Sequence, residues 1–445
     1  MTDASITAAE PDGAPRIASL DVLRGIAILG ILFLNVDGMG VNLLTEFQPR
    51  LAGWTPLDQI AWSVREVLVT GTARAMLEML FGAGMVILTE RAAAGAGRRW
   101  QVLSGYYRRN LVLFCFGLVH IFVLGWFGDI LHTYGIAAMI AFSLRRWRPR
   151  WLLVPGLSFA AFLAVTGAIG LYQDARQASL IAGAQASRAA GRALTADQRK
   201  ALSVQGEEKA EKARLMTEGA RFERARRGGR VEWLMAESRV YLFLLALGYP
   251  LFWIWEATAT MLVGIALFRW GVLQGQRDRG FYWRLLAGGY LIGLVLRAGN
   301  AGTMLAAGGA GASGLGLEEF ARLATTLGHV AFVHLALGTV RGRRLLSPFV
   351  AAGRTALSLY VCQTLIVFWG VFSPFGLHLY GRLSWASLMA VALAVDVVLL
   401  LAANAWVRRF QTAPVEWAWR SMIAGRRLPF RGRPAAMEAM TVPTS

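Results

Sequence analysis

Cysteine is scarce in this chain, with two among 445 residues. Both of them, Cys115 and Cys362, lie inside apolar runs. A disulfide framework and a thiolate metal site are therefore excluded. Histidine is also sparse, at five residues, and no histidines have the spacing of a metal site. We expect no bound metal and no permanently bound cofactor.

Charged residues are few as well, at 16% of the chain, against about 25% in an ordinary soluble domain. This shortage, with 56% hydrophobic residues, excludes a soluble globular enzyme. The charges are unbalanced, giving a net charge of +19. In a soluble protein such an excess indicates a nucleic-acid partner. Here the basic residues lie between apolar runs, which is typical of membrane proteins. The predicted partner is the lipid bilayer and not nucleic acid.

Apolar runs of spanning length recur along the chain. Because about 20 apolar residues cross the hydrocarbon core, the sequence predicts an all-α, polytopic membrane protein with about ten transmembrane helices. The first run lacks a cleavage site behind it, so we interpret it as a retained helix. The predicted spans lie near residues 18–36, 72–89, 110–128, 130–145, 151–172, 241–268, 281–299, 320–340, 350–372 and 384–407.

The arginines predict the orientation of these spans. If residues 1–17 are cytoplasmic, the arginine-rich loops all fall on the cytoplasmic side, and the opposite loops hold few arginines. Both termini are then cytoplasmic. The predicted organisation is an N-terminal tail, two five-span halves separated by an extracytoplasmic insertion, and a basic tail, at residues 1–17, 18–172, 173–240, 241–407 and 408–445.

The insertion at 173–240 departs from the apolar pattern. It is rich in alanine, arginine, glutamate and glutamine and holds all three lysines of the chain. Pairs such as Glu208 and Lys212, four residues apart, favour solvated helix. Long loops cross membranes regardless of charge, so a basic insertion is compatible with an outside location. Binding of a specific partner is an open alternative role.

Polar side chains at membrane depth are the first candidates for function. A charge at the centre of a spanning helix costs roughly 2.5 to 3.5 kcal/mol of insertion free energy. Each such side chain is therefore expected to have a functional or a structural role. Their similar depth predicts one polar cavity, whereas hydrogen bonding between helices is the structural alternative. Five such residues lie near the middle of different predicted spans: Asn35, His120, Glu256, His329 and Asp396.

A second group lies at the outer tip between the third and fourth predicted spans. Asp129 and His132 are three residues apart, and a carboxylate beside an imidazole is the arrangement of a general base. His120 has no polar neighbour on its own helix, and imidazole exchanges a proton near pH 7. Along one helix His120 and Asp129 would be about 13 Å apart. They can share a substrate only if the chain turns at Gly125 or Gly128.

Two further charge pairs are predicted. Arg74 and Glu78, four residues apart, favour a structural ion pair. Asp21 and Arg24 begin the first span, where the aspartate suits the helix N-terminus and the arginine can reach it or the lipid headgroups. An arginine at the inner mouth of a cavity also suits a phosphate-bearing donor.

Four blocks of the sequence resemble the bacterial membrane family called domain of unknown function 418. They occur in the family's order and with its separations, across most of residues 16–430. The last block departs from the family's common Gly-Pro-Leu-Glu-Trp-Leu-Trp-Arg at Ala413, Val415 and Ala418. The blocks are RIASLDVLRGIAILGILFLNV at 16–36, FGLVHIFVLGWFGDILHTYGI at 116–136, GRTALSLYVCQT at 353–364 and APVEWAWR at 413–420.

The resemblance implies a reaction. The family is grouped with the transmembrane acyltransferases, which move acyl groups from cytoplasmic acyl-CoA to acceptors across the bacterial inner membrane. In the related acyltransferase-3 group a catalytic histidine follows the arginine of the first span by eleven residues. In this chain the matching residues are Arg24 and Asn35, and asparagine cannot act as a base. We therefore expect His120 to be the base, Asn35 to stabilise the oxyanion and Asp129 to orient the acceptor or base, with Arg24 and Arg354 on the CoA phosphates.

The remaining polar groups complete this hypothesis. We expect Glu256, His329, Asp396 and His132 to border the substrate cavity, and the acceptor to carry a hydroxyl or an amine. A transporter or flippase for a small molecule or lipid precursor would use midplane polar groups equally well. A membrane scaffold or sensor that works through the 173–240 insertion is the third alternative.

Overall fold

The computed structural model of this chain describes residues 18–41, 45, 48–94, 99–306 and 316–430. These residues form helices and no strand, so the predicted all-α class is confirmed. A short 3₁₀ turn at Pro49–Ala52 and π-helical turns at Arg65–Val69 and Thr364–Phe372 join them. The α-helices are α1 (Ala18–Gly30), α2 (Leu32–Gly40), α3 (Pro56–Val64), α4 (Thr72–Ala94), α5 (Arg99–Phe122), α6 (Leu131–Leu144), α7 (Pro149–Gly156), α8 (Ser158–Ala189), α9 (Ala196–Arg226), α10 (Arg230–Ala246), α11 (Tyr249–Arg269), α12 (Arg279–Ala306), α13 (Glu318–Leu337), α14 (Val340–Arg354), α15 (Ala356–Gln363), α16 (Trp385–Val407) and α17 (Pro414–Ala424).

Among the described residues, seven helical segments are long and apolar enough to cross a membrane, which gives a multi-pass protein. An eighth span forms if α14 is combined with α15 and its π-helical continuation, which are bent by 81°. The other two predicted spans are α5 and α6, and they fall outside this group. Helix α6 has only 14 residues. The seven segments are Ala18–Gly40, Pro56–Glu90, Pro149–Ala189, Tyr249–Arg269, Arg279–Leu305, Glu318–Leu337 and Trp385–Val407.

Helices α1 and α14 cross with their backbones in contact at two glycines. A Cβ on Gly25 would lie 2.0 Å from the Phe349 carbonyl oxygen, and one on Gly353 would lie 1.9 Å from the Asp21 carbonyl oxygen. Small residues at such crossings let membrane helices approach closely. Because Arg24 and Arg354 are the sequence neighbours of these glycines, the crossing brings the two arginines to one cavity.

A carboxylate on helix α17 caps the start of α15, directly after the break between α14 and α15. Glu416, on α17, accepts hydrogen bonds from the Leu357 amide at 2.7 Å and the Ser358 amide at 3.1 Å. It also accepts from the Ser358 hydroxyl. A carboxylate at a helix N-terminus satisfies free amides and complements the helix dipole. Glu416 therefore holds α15 in place from a distant part of the sequence.

The insertion is helical, as predicted, but it is continuous with the bundle. Helix α8 runs through the predicted boundary at 172 to Ala189, and α10 runs through the boundary at 240. Thr195 and Gln198 form a capping box that starts α9. The insertion is therefore an extension of helices that begin or end in the bundle.

A buried arginine fastens the insertion to the end of α2. Arg226 has no exposed surface. It donates to Glu237 at 2.5 Å, to the Tyr380 hydroxyl at 2.8 Å and to the Gly38 carbonyl oxygen at 3.1 Å. Burial raises the pKa of the Glu237 carboxyl, and the Arg226 guanidinium opposes that rise. The base of the insertion is thus fixed beside the end of the first span.

These contacts show which elements lie at the same end of the bundle. Asp21 at the start of α1 and Arg420 on α17 line the same cavity, whereas Gly38 at the end of α2 contacts the insertion. The start of the first span and helix α17 therefore lie at one end of the bundle, and the base of the insertion lies at the other. The assignment of these ends to cytoplasm and exterior remains a prediction.

Reporter fusions test that assignment. Alkaline phosphatase fused after residue 205 should be active, because this enzyme folds only outside the cytoplasm. Green fluorescent protein fused after residue 445 should fluoresce in intact cells. The reverse pair of results would invert the topology and place the cavity on the outer face.

Candidate functional site

A cavity of about 410 Å³ lies at the end of the bundle where α1 begins. This volume is within the range of small-molecule sites. Along the helices its lining changes from charged to apolar toward the bundle interior: Arg24 on α1 is followed by Ile28, and Arg109 on α5 by Leu113. The cavity therefore has a basic end and an apolar end. Its charged residues are Asp21, Arg24, Arg109, Arg354, Arg420 and Glu416.

The arginines of the basic end have defined surroundings. Arg24 pairs with Asp21 at 3.0 Å, as predicted, and its side chain is 36% exposed. The Arg109 guanidinium lies 4.1 Å from the ring centroid of Trp419, a cation–π contact. Arg24 and Arg354, the two predicted phosphate-binding residues, line the same cavity. With four arginines against two carboxylates, the lining favours an anionic ligand.

Tyr360 lines this cavity and also contacts His120. It is buried and belongs to the lining. Its hydroxyl accepts a hydrogen bond from the Ile130 amide at 3.2 Å. Its ring packs edge-on against the His120 ring, with centroids 4.9 Å apart. Tyr360 is therefore the wall between the cavity and His120.

The chain turns between α5 and α6 and brings His120 and Asp129 together. Gly125 adopts a positive φ of 71°, which costs glycine little and other residues more. His120 Nδ1 lies 2.7 Å from Asp129 Oδ2. The other carboxylate oxygen, Oδ1, accepts from the His132 amide at 2.9 Å and lies 3.0 Å from His132 Nδ1. All three side chains are buried. The chain thus makes the turn that His120 and Asp129 need in order to share a site.

The second ring nitrogen of His120 has a partner that the sequence did not predict. Nε2 lies 2.9 Å from the Thr364 hydroxyl oxygen, and Thr364 is fully buried. An ionised carboxylate only accepts, so Nδ1 of His120 carries the proton that is donated to Asp129. Nε2 is then the acceptor, and the Thr364 hydroxyl is the donor. The result is a carboxylate, an imidazole and a hydroxyl in series.

Glu256, predicted to border the substrate cavity, lies instead in a buried arginine–glutamate cluster. Arg322 is 2.6 Å from Glu319, 2.9 Å from Glu256 and 3.4 Å from Glu78. Arg74 contacts Glu78 at 3.8 Å, as predicted, but donates a hydrogen bond to Glu256. Glu256 is therefore held by two arginines on other helices.

The other predicted polar groups are also dispersed. His329 contacts the Tyr290 hydroxyl at 2.8 Å and the Leu68 carbonyl oxygen at 2.9 Å. Asp396 accepts from Gln363 at 3.2 Å. Asn35 is half-buried on α2. The expectation of one shared cavity is thus corrected, because none of the five lines the 410 Å³ cavity and His120, Glu256, His329 and Asp396 each have different polar partners.

His120 lies near the end of helix α5. Helix α5 begins at Arg99 and ends at Phe122, so His120 is two residues from the helix end and not near its centre. At about 1.5 Å per residue it lies about 31 Å from the start of α5. His132, predicted to border the cavity, instead supports Asp129.

Three side chains at this site are not predicted from the sequence: Tyr360, Thr364 and Glu416. Each of them lies inside one of the blocks that carry the family resemblance, GRTALSLYVCQT or APVEWAWR. Membership of those blocks was the available signal, although it assigned no role to the three side chains.

The comparisons agree with that resemblance. The chain is 25% identical over 419 residues to the uncharacterized protein YxaH of Bacillus subtilis (strain 168), covering 91% of this chain and 94% of that protein. It is 29% identical over 413 residues to the uncharacterized protein YeiB of Escherichia coli (strain K12), covering 92% and 96%. The family model described as protein of unknown function (DUF418) matches residues 267–426. The predicted resemblance is therefore confirmed, and residues 267–426 of this membrane protein, with Thr364 and Glu416 among them, match the DUF418 family model.

Proposed function

We propose that this protein is a membrane acyltransferase. It would take an acyl group from acyl-CoA at the arginine-lined cavity and pass it to a hydroxyl- or amine-bearing acceptor. The observation that carries the proposal is the position of one residue, Tyr360. It lines the arginine-rich cavity and contacts the imidazole of a buried His120–Asp129 pair.

The lining of the cavity suits an acyl-CoA donor. Guanidinium groups bind phosphate oxygens through paired N–H donors, and Arg24, Arg109, Arg354 and Arg420 supply them. The apolar end suits the acyl chain. In the predicted topology this basic end faces the cytoplasm of a bacterial inner membrane, where acyl-CoA is made.

The chemistry requires a base next to the thioester. His120 supplies Nε2, and Asp129 fixes the ring and stabilises the imidazolium that forms. Burial of both side chains strengthens their electrostatic interaction. Asn35 is the proposed hydrogen-bond donor to the oxyanion.

Binding of coenzyme A tests the donor site. Purified protein in detergent should bind coenzyme A in isothermal titration calorimetry. Arg24→Ala and Arg354→Ala should each weaken binding about tenfold or more, because a hydrogen bond to a charged group contributes about 1.5 to 3 kcal/mol. Thermal melting should show that both variants fold.

Arg382→Ala is the matched control. Arg382 is exposed and follows Gly381, whose amide donates to the Gly40 carbonyl oxygen at the opposite end of the bundle. This variant should bind coenzyme A like the wild type. Absence of coenzyme A binding to the wild type would contradict the proposed donor.

A further inference from the structure

Thr364 makes a different side-chain hydrogen bond from the buried helical threonines Thr325 and Thr326. A helical threonine usually donates its hydroxyl to the carbonyl oxygen four residues earlier. Thr325 does so with Ala321 at 2.8 Å, and Thr326 does so with Arg322 at 2.7 Å. The hydrogen bond of the Thr364 side chain is instead made with His120 Nε2, 244 residues away along the chain.

The local backbone supports this orientation. Thr364 is the first residue of the π-helical segment Thr364–Phe372. Segments of π-helix are rare and are found frequently at functional sites. The Trp369 indole donates to the Leu124 carbonyl oxygen at 2.8 Å, next to the Gly125 turn. The helix that carries Thr364 is thereby attached to the turn that joins His120 to Asp129.

The series Asp129, His120 and Thr364 matches the geometry of an activated nucleophile. Such a site has a hydroxyl within hydrogen-bond reach of a base, and a third group that orients the base. The two contacts measure 2.9 Å and 2.7 Å. His132 adds a second ring nitrogen and an amide on the far carboxylate oxygen, which holds Asp129 as the orienting acceptor.

We propose, on the basis of the acyl transfer inferred above, that Thr364 is the nucleophile and carries the acyl group as an ester. Thr364 Oγ1 bonds to the thioester carbonyl carbon, and its proton moves to His120 Nε2. The carbon–sulfur bond breaks, and the departing thiolate takes that proton to give free coenzyme A. The acceptor hydroxyl then attacks the ester and gives its proton to His120. The bond to Thr364 breaks, and Oγ1 regains the proton.

Tyr360 controls the path from the cavity to the nucleophile. Tyr360 and Thr364 are four residues apart, so they lie on one face of the chain and about 6 Å apart along the axis. The donor reaches Tyr360 from the cavity, and its carbonyl must pass the ring to reach Oγ1. A rotation of the Tyr360 side chain is therefore part of the reaction.

Incubation of the protein with the acyl donor, in the absence of acceptor, tests the covalent step. Wild-type protein mixed with acetyl-coenzyme A, without acceptor, should release about one equivalent of thiol in a burst. Mass spectrometry should then find one acetyl group on the peptide that contains Thr364. Thr364→Val keeps the shape and removes the hydroxyl, so the burst and the adduct should disappear. Thr364→Ser should retain both. Thr325→Val, which removes another buried hydroxyl, should behave like the wild type.

The outcomes separate this inference from the proposed function. In vesicles of bacterial polar lipid, which supply acceptors, wild-type turnover of acetyl-coenzyme A should fall at least 100-fold in Thr364→Val. If Thr364→Val turns over normally without an adduct, Thr364 is not the nucleophile and direct transfer by His120 stands. If the wild type binds coenzyme A but releases no thiol with or without vesicles, both acyl transfer and the acyl-threonine are wrong.

Discussion

Replacing His120 with glutamine is expected to reduce thiol release from acetyl-coenzyme A at least 100-fold and to leave coenzyme A binding unchanged. General acid–base catalysis contributes about 10²- to 10⁴-fold, and glutamine cannot carry the proton. It can still hydrogen-bond to Asp129 and Thr364, so the fold should persist. Binding should be unaffected because His120 is not part of the cavity lining.

His334→Gln is the control for a buried histidine. His334 packs its ring on Tyr282, with centroids 4.8 Å apart, on helix α13. Its replacement should leave thiol release near the wild-type rate. Near-normal release by His120→Gln, with normal melting, would show that His120 is a structural hydrogen-bonding residue and would remove the base from the proposed reaction.

Replacing Arg322 with leucine is expected to abolish accumulation of folded protein. The substitution leaves Glu78, Glu256 and Glu319 buried with one arginine, Arg74, to balance them. Removing one partner of a buried ion pair typically costs about 3 to 5 kcal/mol, which is a large part of a domain's stability. Size-exclusion chromatography of detergent extracts, followed through a fluorescent fusion, measures the loss.

Two further variants serve as comparisons for Arg322→Leu. Arg214→Leu breaks a pair with Glu218 whose side chains are 70% and 53% exposed, so it should change stability by less than about 1 kcal/mol. Glu78→Gln removes one of the three carboxylates and should be tolerated better than Arg322→Leu. If Glu78→Gln keeps normal protein levels but abolishes turnover, the arginine–glutamate cluster has a role in the reaction.

The turn between α5 and α6 shows what the sequence can predict. A glycine tolerates positive φ because it lacks a Cβ, and this property is local to one residue. Gly125 could therefore be named as a place where the chain reverses, and the reversal places His120 against Asp129.

Helix α5 shows a contact that the local pattern does not predict. The sequence predicts a span that begins near residue 110. The structure continues the helix to Arg99 and covers the Arg109 guanidinium with the Trp419 ring. That contact is supplied by residues about 300 positions later, so no window around Arg109 contains it.

The sequence around Thr364 and Arg322 does not predict their roles. The hydroxyl of a threonine in an apolar helix usually donates to a backbone carbonyl oxygen of the same helix. Thr364 is distinguished by its contact with His120, which is distant in the sequence. Arg322 is buried because Glu78 and Glu256 on other helices neutralise it. Both assignments depend on helix packing, which the periodicity of single helices does not determine.

The hydrogen bonds of Glu416 also set an order of events during synthesis. The amide of Leu357 and its partner Glu416 are 59 residues apart, so α15 leaves the ribosome before its cap exists. Until residue 416 follows, the amides that begin α15 have no carboxylate, and the segment that carries Thr364 lacks its anchor. The cap of α15 is therefore completed only after helix α16 has been synthesised.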